Sequence, residues 1–319
     1  MFKRLLSLAL SLLIIVLSFA ACMPQKALYS PIGDCAYLAV SSVAEPVSRL
    51  SAFYDLELNS QYALVYDVGE DKILFTKGSV SDRVYPASLT KLYTSYVALK
   101  YIDADEIVSV GAEELSMVRP HSSMAYIGEG ARVSVETLIE GMMLPSGNDA
   151  AHILATAAGR AIAKDDSLTS KKAVEIFVDT VNGNMEADGI YNSHFTSPDG
   201  YHDDGHYTTL SDLLTMAKIA IDHPVISKYT GLHYARVKIP YGITLEWYNT
   251  NRLLSPGSKY YIPEAIGLKT GYTDAAGYCL ASAARFGERT VIAITLKCEK
   301  DLPRFDDARA LLYAYRDMK

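Results

Sequence analysis

The sequence predicts an α+β fold. One antiparallel sheet is built from strands at both ends of the chain and flanked by helices, and a mostly helical subdomain is inserted between them. Three patterns predict it. Strand-type alternation appears early, at residues 62–68 and 72–76, on either side of a Gly69-Glu70-Asp71 turn. Apolar residues then recur at helical spacing from about residue 88 to about 228. Strand patterns return at residues 278–284 and 290–296 around Gly287, and Pro303 opens a last helix through Ala308, Leu311, Leu312 and Tyr315.

The elements follow in order. Residues 1–22 carry Lys3 and Arg4, an apolar run over residues 5–19, and Ala20-Ala21-Cys22, the layout of an export signal. The run falls short of the roughly 20 residues that a membrane span needs. Cys22 resembles the acylated cysteine of a lipoprotein signal, with Phe19 in place of the usual aliphatic residue, so attachment to a membrane through a lipidated Cys22 is one expectation. Residues 23–48 lack periodicity and read as a tether, and residues 49–319 form the folded domain, with the helical insert at about 100–230. After Pro86 a helix is predicted from Ser88, on the spacing of Leu89, Leu92, Tyr93, Tyr96 and Val97. Further helices are predicted at 135–144, 149–163, 170–185 and 211–221.

Composition narrows the function. The 319 residues are 50% hydrophobic and 21% charged, which suits a globular protein, and the net charge of −7 argues against a nucleic-acid partner. Removal of the signal leaves Cys35, Cys279 and Cys298. The last two lie on one expected hairpin in which 279 faces 296, making them diagonal neighbours, and buried free thiols are favoured over a disulfide there.

Three short motifs carry chemistry together that none carries alone. Ser88 and Lys91 stand one helical turn apart, so hydroxyl and amine can meet. Ser146-Gly147-Asn148 lies on a turn between two helices. Lys269-Thr270-Gly271 begins a late strand. Ser-x-x-Lys, Ser-x-Asn and Lys-Thr-Gly, in that order, are the motif set of penicillin-binding proteins and related β-lactamases. The chain resembles the serine-type D-alanyl-D-alanine carboxypeptidases, the low-molecular-mass penicillin-binding proteins, from about Tyr62 to Tyr315. Segments 195–200, 209–213, 267–273, 276–280 and 304–308 extend the likeness.

The resemblance implies a β-lactamase/transpeptidase-like fold and removal of the terminal D-alanine from peptidoglycan stem pentapeptides through an acyl-serine intermediate. Ser88 would be the nucleophile and Lys91 its base, kept neutral by a desolvated cleft, the helix terminus and the second lysine at 269. Ser146 would pass a proton to the departing nitrogen. Asn148 would hold the substrate's peptide carbonyl, and Lys269 and Thr270 its terminal carboxylate. Gly271 would let the substrate backbone approach the strand, and the backbone N–H groups of Ser88 and Tyr272 would form the oxyanion hole. β-Lactams would acylate Ser88 as well, no metal or cofactor is required, and the site of action would be the cell-wall space outside the cytoplasmic membrane.

Other readings stay open. A β-lactamase of the same fold would need a water-activating glutamate, and no Glu-x-x-Leu-Asn run occurs between 150 and 210. A non-catalytic penicillin-binding sensor would keep the fold without turnover. His202-Asp-Asp-Gly-His206, with His194 nearby, has the histidine spacing of a zinc site, yet Gly200 and Gly205 argue for a polar loop instead of a helix.

Overall fold

The computed structural model describes residues 47–239 and 243–318. The expected signal, Cys22, Cys35 and nearly all of the expected tether lie outside them. The described chain begins with helix α1 (Val47–Tyr54), which starts two residues before the expected domain boundary.

Five strands form one sheet: β1 (Tyr62–Asp67), β2 (Lys72–Lys77), β7 (Ala265–Thr273), β8 (Gly277–Phe286) and β9 (Arg289–Cys298). Their order is β2-β1-β9-β8-β7, and every neighbouring pair is antiparallel. The N-terminal hairpin therefore pairs with the C-terminal strands, as the sequence predicts. The period-two alternation decides what each face buries. Leu64, Tyr66, Ile292 and Ile294 face the large helical core, while Ala63, Val65, Val291 and Ala293 face the other side. On that side lies the closing helix α9 (Pro303–Asp317), which contributes Phe305, Ala308, Leu311, Leu312 and Tyr315. The central strands are covered on both faces, so they read as near-continuous apolar runs.

Between β2 and β7 come a 3-10 turn at Ala87–Leu89 and helix α2 (Thr90–Ala98), then β3 (Ile107–Ser109), α3 (Ala112–Ser116) and β4 (Arg132–Ser134). Helices α4 (Val135–Met143), α5 (Asn148–Ala163), α6 (Ser170–Asn184), α7 (Leu210–Asp222) and α8 (Pro224–Thr230) follow. Local capping sets their starts: Ser134, Thr169 and Thr209 each accept a backbone N–H from the first turn of α4, α6 and α7. The hairpin β5 (Tyr234–Ile239) and β6 (Ile243–Tyr248) was not expected from the sequence, nor was the β3–β4 pair. Trp247 of β6 is buried and donates from Nε1 to the Ala125 carbonyl at 2.8 Å, so that hairpin is anchored to the helical core.

Among the described residues Cys279 and Cys298 form no disulfide and are buried, as expected of thiols. The expected register is observed from Leu280 opposite Thr295 to Phe286 opposite Arg289, but a bulge between Tyr278 and Leu280 interrupts it at Cys279 and sets Tyr278 opposite Cys298.

The two ends of the chain are tied at Asp307 of α9. Its carboxylate accepts from the backbone N–H and Nδ2 of Asn59, at 3.0 and 2.9 Å, and from the N–H and Oγ of Ser60, at 2.7 and 2.6 Å. Asp307→Ala leaves buried donors unpaired, and a loss of about 2–4 kcal/mol is expected, read from the midpoint of urea unfolding.

Candidate active site

Ser88 is presented by strain as well as by helix geometry. Instead of a simple helix start after Pro86, Ala87 adopts a left-handed conformation at φ 48°, Ser88 sits in the 3-10 turn, and α2 begins at Thr90. A left-handed alanine costs about 1 kcal/mol, so surrounding contacts must hold it. They do. The Ala87 carbonyl accepts from Thr90 Oγ1 at 2.8 Å, and Gly200 packs so closely that an added Cβ would stand 1.9 Å from that same oxygen. Thr94 Oγ1 donates to the Pro198 carbonyl at 2.8 Å, and Thr90 Oγ1 lies 2.9 Å from His206 Nε2. The loop over residues 195–206 is thereby stitched to the first turns of α2.

Lys91 is fully enclosed. Its Nζ lies 2.8 Å from each of Ser88 Oγ, Asn148 Oδ1 and the Asp199 carbonyl oxygen. Two of these partners can only accept, because Asn148 turns its Nδ2 to Ser122 Oγ at 3.0 Å. A neutral amine has two N–H bonds for them and one lone pair left, which faces the Ser88 hydroxyl. Burial lowers the Lys91 pKa to about 8, against the opposing charges of Asp199 and Asp149. The arrangement can therefore take a proton from Ser88 near neutral pH.

Asn148 starts α5, directly after Ser146 and Gly147. Ser146 is left-handed, at φ 64°, lines the same cavity as Ser88, and has no side-chain hydrogen bond among the described residues. Asp149, the next helical residue, accepts the N–H groups of Ala125 and Ile127 at 2.8 and 3.1 Å. It thus holds the segment that carries Ser122 and Ser123 to the cavity.

That cavity has a volume of about 550 Å³. Ser88, Ser146, Asn148, Thr250, Thr270 and Tyr272 line it. β7 is the outer strand of the sheet and runs along it. Six of the eight predicted site residues line the cavity, Gly271 among them. Lys91 and Lys269 have no exposed surface. Lys269 Nζ donates to the Thr270 carbonyl at 3.0 Å, and burial, Lys91 and Arg304 together lower its pKa well below that of a free lysine.

Gly271 has a structural reason for lacking a side chain. An added Cβ would stand 3.0 Å from the Pro86 carbonyl and 3.1 Å from both Ala87 Cβ and Ser88 N, so the turn carrying Ser88 would have to shift away from the strand. Arg304 of α9 is a cavity residue to which the sequence reading assigned no role. Its Nη1 donates to the carbonyls of Gly271 and Cys279, both at 3.0 Å, and Nη2 to Asp301 at 2.6 Å. Its sequence signals were its place at the start of segment 304–308, which extends the family likeness, and a cation within an otherwise apolar helix face.

The three histidines do not converge. His206 stacks on Phe195 with ring centres 4.7 Å apart and receives the Thr196 N–H, while His194 Nδ1 lies 2.8 Å from the Gly205 carbonyl and His202 packs on Tyr85. Burial lowers the His206 pKa to about 4.

The profile of the D-alanyl-D-alanine carboxypeptidase family matches residues 48–300. The chain is 29% identical over 261 residues to D-alanyl-D-alanine carboxypeptidase DacF of Bacillus subtilis (strain 168), covering 80% of this chain and 61% of that protein. It is 31% identical over 253 residues to the D-alanyl-D-alanine carboxypeptidase of Streptomyces sp. (strain K15), covering 76% and 82%. The solved Streptomyces K15 DD-transpeptidase superposes with a TM-score of 0.73 at 30% identity, covering 81% of this chain and 97% of that one. The chain spans only 61% of the length of the Bacillus subtilis DacF and 59% of that of DacC of Escherichia coli (strain K12).

Gly271→Ala should slow acylation of Ser88 by a β-lactam probe about tenfold, because a few tenths of an ångström at the Ser88 turn are enough to misplace the nucleophile. A thermal melt should show a much smaller change.

Proposed function

The chain belongs to the D-alanyl-D-alanine carboxypeptidase family, and on that premise we propose that it is a serine acyl-transfer enzyme that removes the terminal D-alanine from peptidoglycan stem peptides. The observation that carries the proposal is the Lys91 amine, whose two pure acceptors leave its lone pair for Ser88.

The reaction follows from the site. Ser88 Oγ attacks the carbonyl of the penultimate D-alanine as its proton passes to Lys91 Nζ. The backbone N–H groups of Ser88 and Tyr272 receive the oxyanion, a contact type worth a factor of about 100 to 1,000 in rate. The C–N bond then breaks, Ser146 delivers a proton to the leaving nitrogen, and D-alanine departs. Water later cleaves the ester and returns Ser88. Asn148 holds the substrate's peptide carbonyl.

The terminal carboxylate sets the end preference. Thr270 Oγ1, 2.6 Å from Thr250 Oγ1, meets the carboxylate at the cavity, with Lys269 directly beneath and Arg304 beside it. The Arg304 cation, two hydroxyls and a Lys269 amine that can take up a proton favour a free chain end over an internal bond.

A β-lactam enters the same cavity, its ring carbonyl acylates Ser88, and the product persists. No glutamate lines the cavity among the described residues, so the group a β-lactamase would use on water is lacking there. The enzyme works outside the cytoplasmic membrane, and a lipid on Cys22 is the means of attachment proposed.

Two outcomes test this. Incubation with penicillin should add a lasting mass to the peptide containing Ser88, and Ser88→Ala should abolish it. Drug consumption without an adduct indicates a β-lactamase. An adduct without release of D-alanine from a D-Ala-D-Ala peptide indicates a sensor. The acylation rate should rise with pH through about 8, since only the deprotonated Lys91 can take the Ser88 proton, and should be lost as pH falls below that.

A further inference from the structure

Lys91 has a support that none of the three motifs contains. His152 stands one helical turn beyond Asn148 on α5 and is 7% exposed, with Nε2 3.5 Å from Asp199 Oδ2. Asp199 is 1% exposed. Its Oδ1 accepts from Ser197 Oγ at 2.7 Å and from the Tyr201 N–H at 3.0 Å. Its backbone carbonyl accepts from Lys91. Two buried polar atoms of the pair, Asp199 Oδ2 and His152 Nδ1, have no hydrogen-bond partner among the described residues. A buried carboxylate oxygen needs a donor, and His152 is the side chain placed to supply one.

We propose that His152 is a positioning residue for Lys91. It holds the Asp199 carboxylate, and so fixes both the carbonyl that receives a Lys91 hydrogen bond and a negative charge that acts on that amine. The inference rests on reading Lys91 as the base.

The pair acts in a defined direction. The Asp199 charge favours the protonated lysine, opposing burial. An imidazole N–H on Oδ2 draws part of that charge away from Lys91. Removing the imidazole leaves the carboxylate uncompensated and raises the proton affinity of the amine. Removing the charge while keeping the carbonyl lowers it. Other charged groups face the pair: Asp149 on α5, Lys269 on β7 and His206 beside Thr90. Arg119, His202 and Asp203 line a second cavity, of about 240 Å³, which His152 and Asp199 also border. All of these stay in place in every variant, so differences report on the pair.

The test is a pH titration of the full chain labelled with ¹³Cε-lysine, with the Lys91 signal assigned by its loss in Lys91→Arg. Rates of penicillin acylation are followed in parallel. In His152→Leu the Lys91 titration and the acylation profile should both move upward by about half a pH unit, with the rate at pH 7 falling about threefold. His152→Gln, whose amide N–H can reach Asp199, should keep the wild-type profile. Asp199→Asn should move the titration downward. The inference is overturned if His152→Leu slows acylation without moving the Lys91 titration, or if His152→Gln moves it as far as His152→Leu. Should Asp199→Asn not fold, the two His152 variants decide alone. A wild-type protein that never acylates defeats the function proposed above, while the titration still decides the pair.

Discussion

A primary amine without solvent is the constraint on which this structure depends. Removing Lys91 from water is unfavourable unless the amine is neutral or fully hydrogen-bonded, and the chain supplies three partners from three separate segments. Ser88 comes from the turn before α2, Asn148 from the start of α5, and Asp199 from the loop before α7. None can move far without leaving a buried donor or acceptor unpaired. The left-handed Ala87, the missing Cβ of Gly200 and the Asp149 carboxylate then follow as conditions for bringing those segments together. The same closure that positions Ser88 also removes Lys91 from the water that would favour its protonated form. Position and reactivity are set by one packing event.

Much of this was legible in the sequence because it is local. Helical spacing located α4 to α7 to within a residue or two at each end, and period-two alternation gave both terminal hairpins, since each depends on which faces are buried. The motif residues of the site were legible as well, and the structure gathers them around one cavity and the two lysines beneath it. What was missed depends on distant partners. The β5–β6 hairpin is fixed by Trp247 reaching Ala125, and the β8 bulge by pairing with β9. Ala87 gives no sign of a left-handed backbone, because that conformation is imposed by residue 200. Nor does His152 announce itself. On an apolar helix it reads as a core histidine until the loop carrying Asp199 folds against it.

The glycines show how one residue type carries different meanings. Gly271 was read as clearance for a substrate, yet an added Cβ there would press on Pro86, Ala87 and Ser88 of the same chain. The clearance needed first is internal: an outer strand has to lie against the turn that carries the nucleophile. A substrate strand can add to the free edge of β7 only after that approach is made. Selection of glycine at 271 therefore serves folding and chemistry through one contact, and sequence alone cannot separate the two.

The charge arrangement carries the last step. Lys91, Lys269 and Arg304 are buried around one cavity. Among the described residues Lys269 donates only to the Thr270 carbonyl, and its neutral form is favoured by burial and by the neighbouring Lys91 and Arg304. A ligand carboxylate at Thr270 and Arg304 adds a negative charge beside them and raises the proton affinity of both lysines. Were Lys91 to take that proton from solvent, the base would be lost. Lys91 is opposed by its own full set of partners, two of which already occupy its N–H bonds, whereas Lys269 has donor positions to spare. On the proposed reading, carboxylate binding thus places its compensating proton on Lys269 and leaves Lys91 neutral. The charge that identifies the substrate's free end then also protects the base, and a substrate lacking that carboxylate loses both effects together.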